Sequence, residues 1–282
     1  MQLQKFNHIK EFWSVAQDYL LQYESEQNLL IGICHTLLNR PERYLNPPYF
    51  AIVKENETIL ALAIRTPPRK LLLSKVKSLE ALTLIAQDLR YESLPGACGL
   101  VEEITAFVEI WQQLTGQSFK REIEMRIHQL TQVQYIPTAG GHLRLATEAD
   151  RSLLIDWFTA FIAEIGEVMG EPPERAVNSS LKHQSIYLWE DQVPVSWASG
   201  SQSLPTAARI GPVYTPPEYR RRGYATACVA ALSQKFLGQE CERCFLFTDI
   251  ANPTSNHIYH QIGYRPICDW HNYCFIPKYA FV

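Results

Sequence analysis

The sequence predicts a mixed α/β protein with two domains. The chain has 282 residues, which is enough for two cores of ordinary size. Short apolar runs typical of strands alternate with helical periodicity along the chain. The run Pro-Thr-Ala-Gly-Gly at 137–141 interrupts this alternation and indicates a linker. We therefore predict domains at 1–138 and 142–282, each with helices packed on a mixed sheet.

The first half has four helical stretches and several strands. Helical periodicity favours helices at 9–23, 28–39, 79–89 and 101–115. Strands are expected at 49–54, 58–65 and 70–76, with closing strands within 119–133 and a short connection at 94–99.

The second half repeats this order more clearly. Thr147 followed by Asp150 is typical of a capping box, and the helix after it has an apolar stripe of Leu154, Trp157, Phe158, Phe161, Ile162 and Ile165. Further helices are expected at 223–237 and 253–262. Strands are expected at 142–145, 185–189, 193–199, 209–215 and 244–248, with a final strand pair from 264 onwards. The shared order favours a duplicated architecture, and two unrelated α/β domains are the alternative.

Composition excludes several classes of protein. Hydrophobic residues make up 46% of the chain and charged residues 20%, which is typical of a globular protein. A formal net charge of −3 argues against binding to nucleic acid or to an anionic membrane. The apolar runs are too short to span a bilayer, and residues 1–13 lack the pattern of a secretion signal. We expect a cytoplasmic protein.

The chain contains seven cysteines, and this odd, scattered set is typical of reduced thiols. Cys241 and Cys244 have CxxC spacing. We interpret Cys244 as the start of a buried strand and Cys241 as part of the turn before it. A zinc site completed by Cys268, His271 and Cys274 is the alternative, but no second CxxC or HxxxH pair supports it, and we expect no metal.

The stretch from Gly211 to Ala225 is the most informative part of the chain. It combines a strand, a tight polar loop and a helix that begins with small residues, and such a loop directs backbone N–H groups toward an anion. Gly223 permits close approach of a phosphate, and Ala225 keeps the first helical turn uncrowded. Pro212 within the strand predicts a bulge or a splayed edge, because proline has no N–H for the ladder.

This stretch resembles the GNAT acetyltransferases. The segment Arg220-Arg221-Arg222-Gly223-Tyr224-Ala225 matches the Arg/Gln-x-x-Gly-x-Gly/Ala signature of that family. Downstream, the segment from Asn252 to Tyr264 is similar to the family's second landmark, and the resemblance covers about 141–282.

The resemblance implies a site for acetyl-coenzyme A. The backbone of Val213, Tyr214 and Thr215 would bind the pantetheine arm, and N–H groups from Arg221 to Ala225 would bind the pyrophosphate. Asn252 and Asn256 would contact the cofactor arm. Tyr259 would protonate the departing thiolate, and the acceptor would be a small-molecule or peptide amine.

The helix at 253–262 is supported by its own residues. Asn252 is a good N-cap, Pro253 suits the first turn and Gly263 suits the exit. Spacing places Asn252, Asn256 and Tyr259 near one helix face. The alternative for Tyr259 is a half-buried packing role.

A base must take a proton from the acceptor ammonium before the amine can attack. Asp249 is the candidate base, although it could equally cap the turn, and Glu218 or a chain of waters are alternatives. The acidic residues Glu164, Glu167, Glu171 and Glu174 either line a pocket for a cationic acceptor or form a solvated surface.

The first half lacks the phosphate loop, since residues 75–79 contain no glycine. We expect it to be a degenerate GNAT-like domain without cofactor, as in tandem GNAT proteins. Three functions remain open: an N-acetyltransferase, an acyl-coenzyme A sensor without turnover, and an interaction protein. Tyr259 favours the enzyme over the sensor, and Gly223 with Ala225 disfavours the third.

Overall fold

The computed structural model describes residues 1–134, 139–166 and 171–277. By their contacts the residues form two compact units. Unit 1 comprises Met1–Ile127, Asp249–Ala251 and Ile267–Val282, and unit 2 comprises His128–Thr248 and Asn252–Pro266. The mixed α/β class predicted from the sequence is confirmed.

The elements of the first half are, in chain order, β1 (Gln2–Phe6), α1 (Ile9–Leu21), α2 (Glu24–Asn39), β2 (Tyr49–Glu55), β3 (Thr58–Arg65), β4 (Leu71–Leu73), α3 (Ala81–Leu89), β5 (Gly96–Leu100), α4 (Val101–Thr115) and β6 (Phe119–Leu130). Those of the second half are β7 (His142–Leu145), α5 (Arg151–Ile165), α6 (Pro173–Lys182), β8 (Ile186–Asp191), β9 (Val193–Gln202), β10 (Ala207–Tyr214), α7 (Tyr224–Leu237), β11 (Arg243–Asp249), α8 (Pro253–Ile262) and β12 (Arg265–Phe275). Among the described helices, none is both long and apolar enough to span a membrane.

Unit 1 has the strand order β1-β2-β3-β4-β5-β12-β6. Strand β4 runs parallel to β5, and β12 pairs antiparallel with β5, placing Trp270 opposite Leu100. The core between this sheet and helices α3 and α4 includes Trp111, whose ring stacks on that of Phe275 at a centroid distance of 5.2 Å. The end of the chain therefore contributes to the core of unit 1.

Three expectations for strands were wrong. Residues Gly96–Leu100 form the buried strand β5 rather than a connection. Their small side chains give a weak strand signal, and a Cβ at Gly96 would lie 2.0 Å from the Tyr273 carbonyl oxygen, so β12 can approach only a glycine there. The closing stretch at 119–133 holds one strand, β6, and the described residues after Tyr264, up to residue 277, hold one strand, β12.

Unit 2 contains the strand order β11-β10-β9-β8-β7. Helix α7 packs on this sheet around Cys228, Leu232 and Tyr264, and helices α5 and α6 pack around Trp197 in a second buried cluster. Helix α6 and strand β1 were not predicted from the sequence.

The predicted capping box at the start of the second half is confirmed. The Thr147 N–H donates to Asp150 Oδ2 at 2.8 Å, and the Thr147 side chain completes the box. Arg144 donates to both carboxylate oxygens of Asp150, each at 2.8 Å. These bonds fix the turn from which α5 begins.

Candidate active site

Strands β10 and β11 separate at the centre of unit 2. Their parallel pairing runs from Ala207 with Arg243 to Arg209 with Phe245, and both strands continue beyond it. On its other side β10 stays paired with β9 up to Tyr214, but its register shifts between Ile210 and Val213. This irregularity at Pro212 confirms the predicted bulge. The edge of β10 that faces β11 is therefore open beyond Arg209.

The loop after β10 has the backbone of an anion site. Arg221 and Gly223 adopt left-handed conformations, with φ of 61° and 81°. Such residues within a turn direct neighbouring N–H groups to one side. The first bond that closes a turn of α7 is donated by the Ala227 N–H to the Gly223 carbonyl at 2.9 Å. The N–H groups of the first turn, from Tyr224 onwards, therefore point toward the loop, where the helix dipole also favours an anion.

The three arginines of the loop differ in what they contact. Arg220 Nη2 donates to Glu164 Oε2 at 2.5 Å and Nε donates to the Thr215 carbonyl at 2.8 Å. The hydrogen bond with Glu164 raises the pKa of Arg220. Arg220 thus ties the loop to the end of α5, whereas the side chains of Arg221 and Arg222 are exposed. The charges of Arg221 and Arg222 are thus exposed to a ligand, and Arg222 also lies close to the Tyr224 hydroxyl.

The asparagines at the start of α8 are both engaged within the protein. Asn252 Oδ1 accepts the Ser255 N–H at 3.1 Å, which confirms its expected N-cap role. Asn256 Oδ1 accepts from the Thr248 hydroxyl at 2.7 Å, and its Nδ2 donates to the Asn252 carbonyl at 2.8 Å. These bonds hold the start of α8 against the end of β11.

Tyr259 lies on α8 with its side chain half-buried. It packs against the core of unit 2, with its ring edge-on to that of Tyr264 at 6.0 Å. Burial raises the pKa of the Tyr259 hydroxyl to about 12, and the nearby Cys228 adds to the effect. The hydroxyl therefore keeps its proton at neutral pH and is a hydrogen-bond donor. Both the packing role and the donor role are compatible with this position.

Asp249 ends β11 and groups by its contacts with unit 1, whereas Tyr259 belongs to unit 2. Asp249 Oδ1 accepts the Ala251 N–H at 2.8 Å, which is the turn-capping contact considered as the alternative role of Asp249. Glu218 is exposed in the loop before α7.

The acidic stretch at 164–174 is partly neutralised. Glu164 pairs with Arg220, and Glu171 Oε2 is 3.8 Å from Arg175 Nε. Glu174 is exposed, and Glu167 lies outside the described residues. The acidic character of this stretch is therefore smaller than its sequence indicates.

An aromatic cluster beside this stretch was not singled out from the sequence as part of a site. Phe161 on α5 lies 6.1 Å from the ring of Trp197 and 6.2 Å from that of Tyr214. The Trp197 Nε1–H is buried without a hydrogen-bond partner among the described residues. The apolar stripe of α5 and the alternation along β9 were visible in the sequence. The contact between them could not be predicted, because it depends on the strand register that places Trp197 opposite Tyr214.

The CxxC cysteines are packing residues. Cys241 and Cys244 are both buried, and Cys244 Sγ donates to the Ser233 carbonyl at 3.8 Å. In the described part of the chain, no group of three or more His, Cys, Asp or Glu side chains could hold a metal ion.

The segment after β4 in unit 1 differs from the loop after β10. The Val76 N–H donates to Glu103 Oε1 at 3.3 Å, and the Lys77 N–H donates to the Leu60 carbonyl at 2.7 Å. The Tyr19 hydroxyl donates to the Lys75 carbonyl. The Val76 and Lys77 N–H groups, which in an open loop could bind a phosphate, are therefore hydrogen-bonded within unit 1.

Unit 2 thus combines an open strand edge with a loop that contains two left-handed residues and leads into helix α7. Residues 152–264 match the model of the acetyltransferase (GNAT) family. The chain therefore contains a GNAT acetyltransferase domain.

Solved structures show the same fold over nearly the whole chain. A GNAT-family acetyltransferase from Colwellia psychrerythraea has a TM-score of 0.59 at 12% identity, covering 98% of this chain and 100% of that one. A GCN5-related N-acetyltransferase from Sphaerobacter thermophilus has a TM-score of 0.60 at 14% identity, covering 97% and 95%. A tandem GNAT protein from the clavulanic acid biosynthesis pathway has a TM-score of 0.59 at 10% identity, covering 98% and 100%. No curated protein matches the chain.

Proposed function

We propose that the protein is an N-acetyltransferase that moves an acetyl group from acetyl-coenzyme A to an amine by direct attack. The observation that carries the proposal is the open edge of β10 leading into the loop with left-handed Arg221 and Gly223, within the GNAT domain. Such an edge and loop fit a ligand with an amide-bearing arm attached to a pyrophosphate.

We propose the following contacts with the cofactor. The backbone of Val213, Tyr214 and Thr215 adds the pantetheine arm as an extra strand. The N–H groups from Arg221 through Gly223 and Tyr224 to Ala225 hold the pyrophosphate, and the exposed charges of Arg221 and Arg222 add to the attraction. Arg220 contributes its backbone, since its guanidinium is committed to Glu164 and Thr215. Unit 1 binds no cofactor in this proposal.

On α8, Asn252 and Asn256 keep the start of the helix in place beside the arm, because their amides already join α8 to its own first turn and to β11.

Tyr259 stabilises the leaving group. The neutral amine attacks the acetyl carbonyl carbon, the C–S bond breaks, and negative charge develops on sulfur. The nitrogen loses its extra proton to solvent to give the amide, and coenzyme A leaves as a thiolate that takes a proton from solvent. A phenol with a pKa of about 12 is a weaker acid than a thiol, whose pKa is about 8.5. Complete proton transfer from Tyr259 to the thiolate is therefore unfavourable, and we propose that Tyr259 acts mainly by donating a hydrogen bond to the sulfur as charge develops. Asp249 is our candidate for the base that deprotonates the acceptor ammonium.

Turnover of acetyl-coenzyme A against a panel of amines, followed by release of free thiol, tests the proposal. We expect thiol release that depends on both the amine and the protein. Tight binding without turnover on any amine would favour the sensor function instead.

A further inference from the structure

The first residue of α7 is tied to a neighbouring hairpin. The Tyr224 hydroxyl donates to Asp191 Oδ2 at 2.7 Å. This bond raises the pKa of the Tyr224 hydroxyl, which therefore stays a donor. Tyr224 directly follows the left-handed Gly223, and Asp191 is the last residue of β8. A side chain in the first turn of the helix is thus held by a residue outside the loop.

The same end of β8 also contacts the segment 139–141. Trp189 Nε1 donates to the Gly140 carbonyl at 2.8 Å. A Cβ at Gly140 would lie 3.4 Å from Asp191 Oδ2, and one at Gly141 would lie 2.3 Å from the Glu190 carbonyl oxygen. The segment therefore lies close against the end of β8.

This segment reaches the anion loop itself. A Cβ placed on Gly223 would lie 3.7 Å from the Ala139 Cβ, an ordinary van der Waals distance. Ala139 thus lies beside Gly223. The residue after Gly223, Tyr224, is hydrogen-bonded to Asp191. Both restraints converge on the two residues whose backbone begins α7.

We propose that Asp191 is a positioning residue for cofactor binding. By accepting the Tyr224 hydroxyl, it fixes the backbone N–H groups at the start of α7 in the orientation that the pyrophosphate requires. The hydrogen bond from Trp189 to Gly140 holds the adjacent segment in place. This inference rests on the proposed use of acetyl-coenzyme A. A carboxylate beside an anion site weakens binding through its charge, so its benefit lies in the hydrogen bond it accepts. Backbone donors that are already ordered bind a ligand more tightly, because the loop loses less conformational entropy on binding.

The hydrogen bond and the charge can be separated by substitution. Asp191→Asn keeps an oxygen that accepts the Tyr224 hydroxyl and removes the charge. Asp191→Ala removes both. Tyr224→Phe removes the donor hydroxyl, and with it the contact of that hydroxyl with Arg222. Tyr219→Phe, in the same loop, is the matched control, because its hydroxyl makes no hydrogen bond among those that the structure describes.

Calorimetric titration of each full-length variant with coenzyme A is the test, with thermal unfolding to confirm folding. We expect Asp191→Ala and Tyr224→Phe each to raise the dissociation constant about tenfold, the equivalent of one hydrogen bond. Asp191→Asn and Tyr219→Phe should stay within about threefold of the unmodified protein. The double variant Asp191→Ala with Tyr224→Phe should bind no more weakly than either single variant.

Wild-type affinity in both Asp191→Ala and Tyr224→Phe would overturn the inference, as would an Asp191→Asn variant as weak as Asp191→Ala. If the unmodified protein binds no coenzyme A, the proposed function fails and the inference fails with it. If the unmodified protein binds and the variants do not differ from it, only the inference fails.

Discussion

At the scale of single residues, Tyr259 shows what a sequence pattern leaves undecided. Its spacing from Asn252 and Asn256 placed it on one face of a helix with them, and α8 has the predicted bounds. Spacing could not reveal that the hydroxyl is desolvated and that its pKa is raised to about 12. That value changes the expected role from full proton transfer toward hydrogen-bond donation.

Tyr259→Phe removes the hydroxyl and keeps the ring, so packing against Tyr264 should be preserved. If the hydroxyl stabilises developing charge on sulfur, kcat should fall ~10- to 100-fold while the dissociation constant of coenzyme A changes by less than about threefold. Steady-state kinetics on a confirmed acceptor, together with calorimetry, would measure both. Unimpaired turnover would remove Tyr259 from the mechanism.

The pH dependence gives a second check on the same residue. The neutral donor form of Tyr259 is present below its pKa of about 12 and is lost only above it. The Tyr259 hydroxyl should therefore cause no falling limb in the rate below about pH 11. A fall in the rate near pH 9 to 10 that disappears in Tyr259→Phe would contradict the raised pKa of the Tyr259 hydroxyl.

At the scale of elements, the start of α5 is fixed by charge as well as by its capping box. The hydrogen bonds from Arg144 hold the pKa of Asp150 below its usual value. A carboxyl group whose pKa is lowered in the folded state stabilises the fold above the unfolded pKa, about 3.9, and loses this effect as pH falls through the folded value.

Asp150→Asn should lower the free energy of unfolding by about 2 kcal/mol at pH 7, since it weakens a charged pair and a cap. The difference from the unmodified protein should be constant above pH 5 and shrink below pH 4. Denaturant unfolding at several pH values would measure it. Arg151→Gln is the control, because its pair with Glu148 is exposed and should contribute under 1 kcal/mol.

Elements with strong local patterns were predictable and elements defined by their neighbours were not. Helix α4 was predicted with its observed bounds, because its apolar stripe and Gly116 mark it locally. Strand β5 was missed because Gly96 and Gly99 have low strand propensity. The close approach of the Tyr273 backbone that requires a glycine at position 96 is not visible in the sequence. In the site, the loop and α8 were visible in the sequence, whereas the Arg220–Glu164 pair and the Trp197 cluster depend on strand register.

At the scale of the whole molecule, the two units do not simply follow the order of the chain. The described residues from 267 to 277 belong by their contacts to unit 1. The domain limits 1–138 and 142–282 stay a prediction, and residue 138 lies outside the described part of the chain. The core of unit 1 nevertheless depends on Tyr273 and Phe275 from the other end of the sequence.

Phe275→Ala should therefore destabilise unit 1, although the residue is far from that unit in sequence. Loss of its stack on Trp111 leaves a cavity that we expect to cost about 3 to 4 kcal/mol. Ile276→Ala is the matched control, because its side chain is 40% exposed and its loss should cost less than about 0.5 kcal/mol.

Hydrogen exchange of the amides in α4 and β5 measures this effect on unit 1 directly. Protection that is as strong in Phe275→Ala as in Ile276→Ala would show that the end of the chain does not support unit 1.

The central claim is that the protein has one acetyl-coenzyme A site, formed by the loop at Gly223. Calorimetric titration with acetyl-coenzyme A tests it most directly in three proteins: the unmodified chain, Gly223→Val and Gly116→Val. Both substitutions place a branched side chain at a left-handed glycine, with φ of 81° and 69°, but only the first lies in the loop. We predict one molecule bound per chain, binding weakened at least tenfold by Gly223→Val, and affinity retained in Gly116→Val. Two molecules per chain, no binding by the unmodified protein, or unchanged affinity in Gly223→Val would contradict the account.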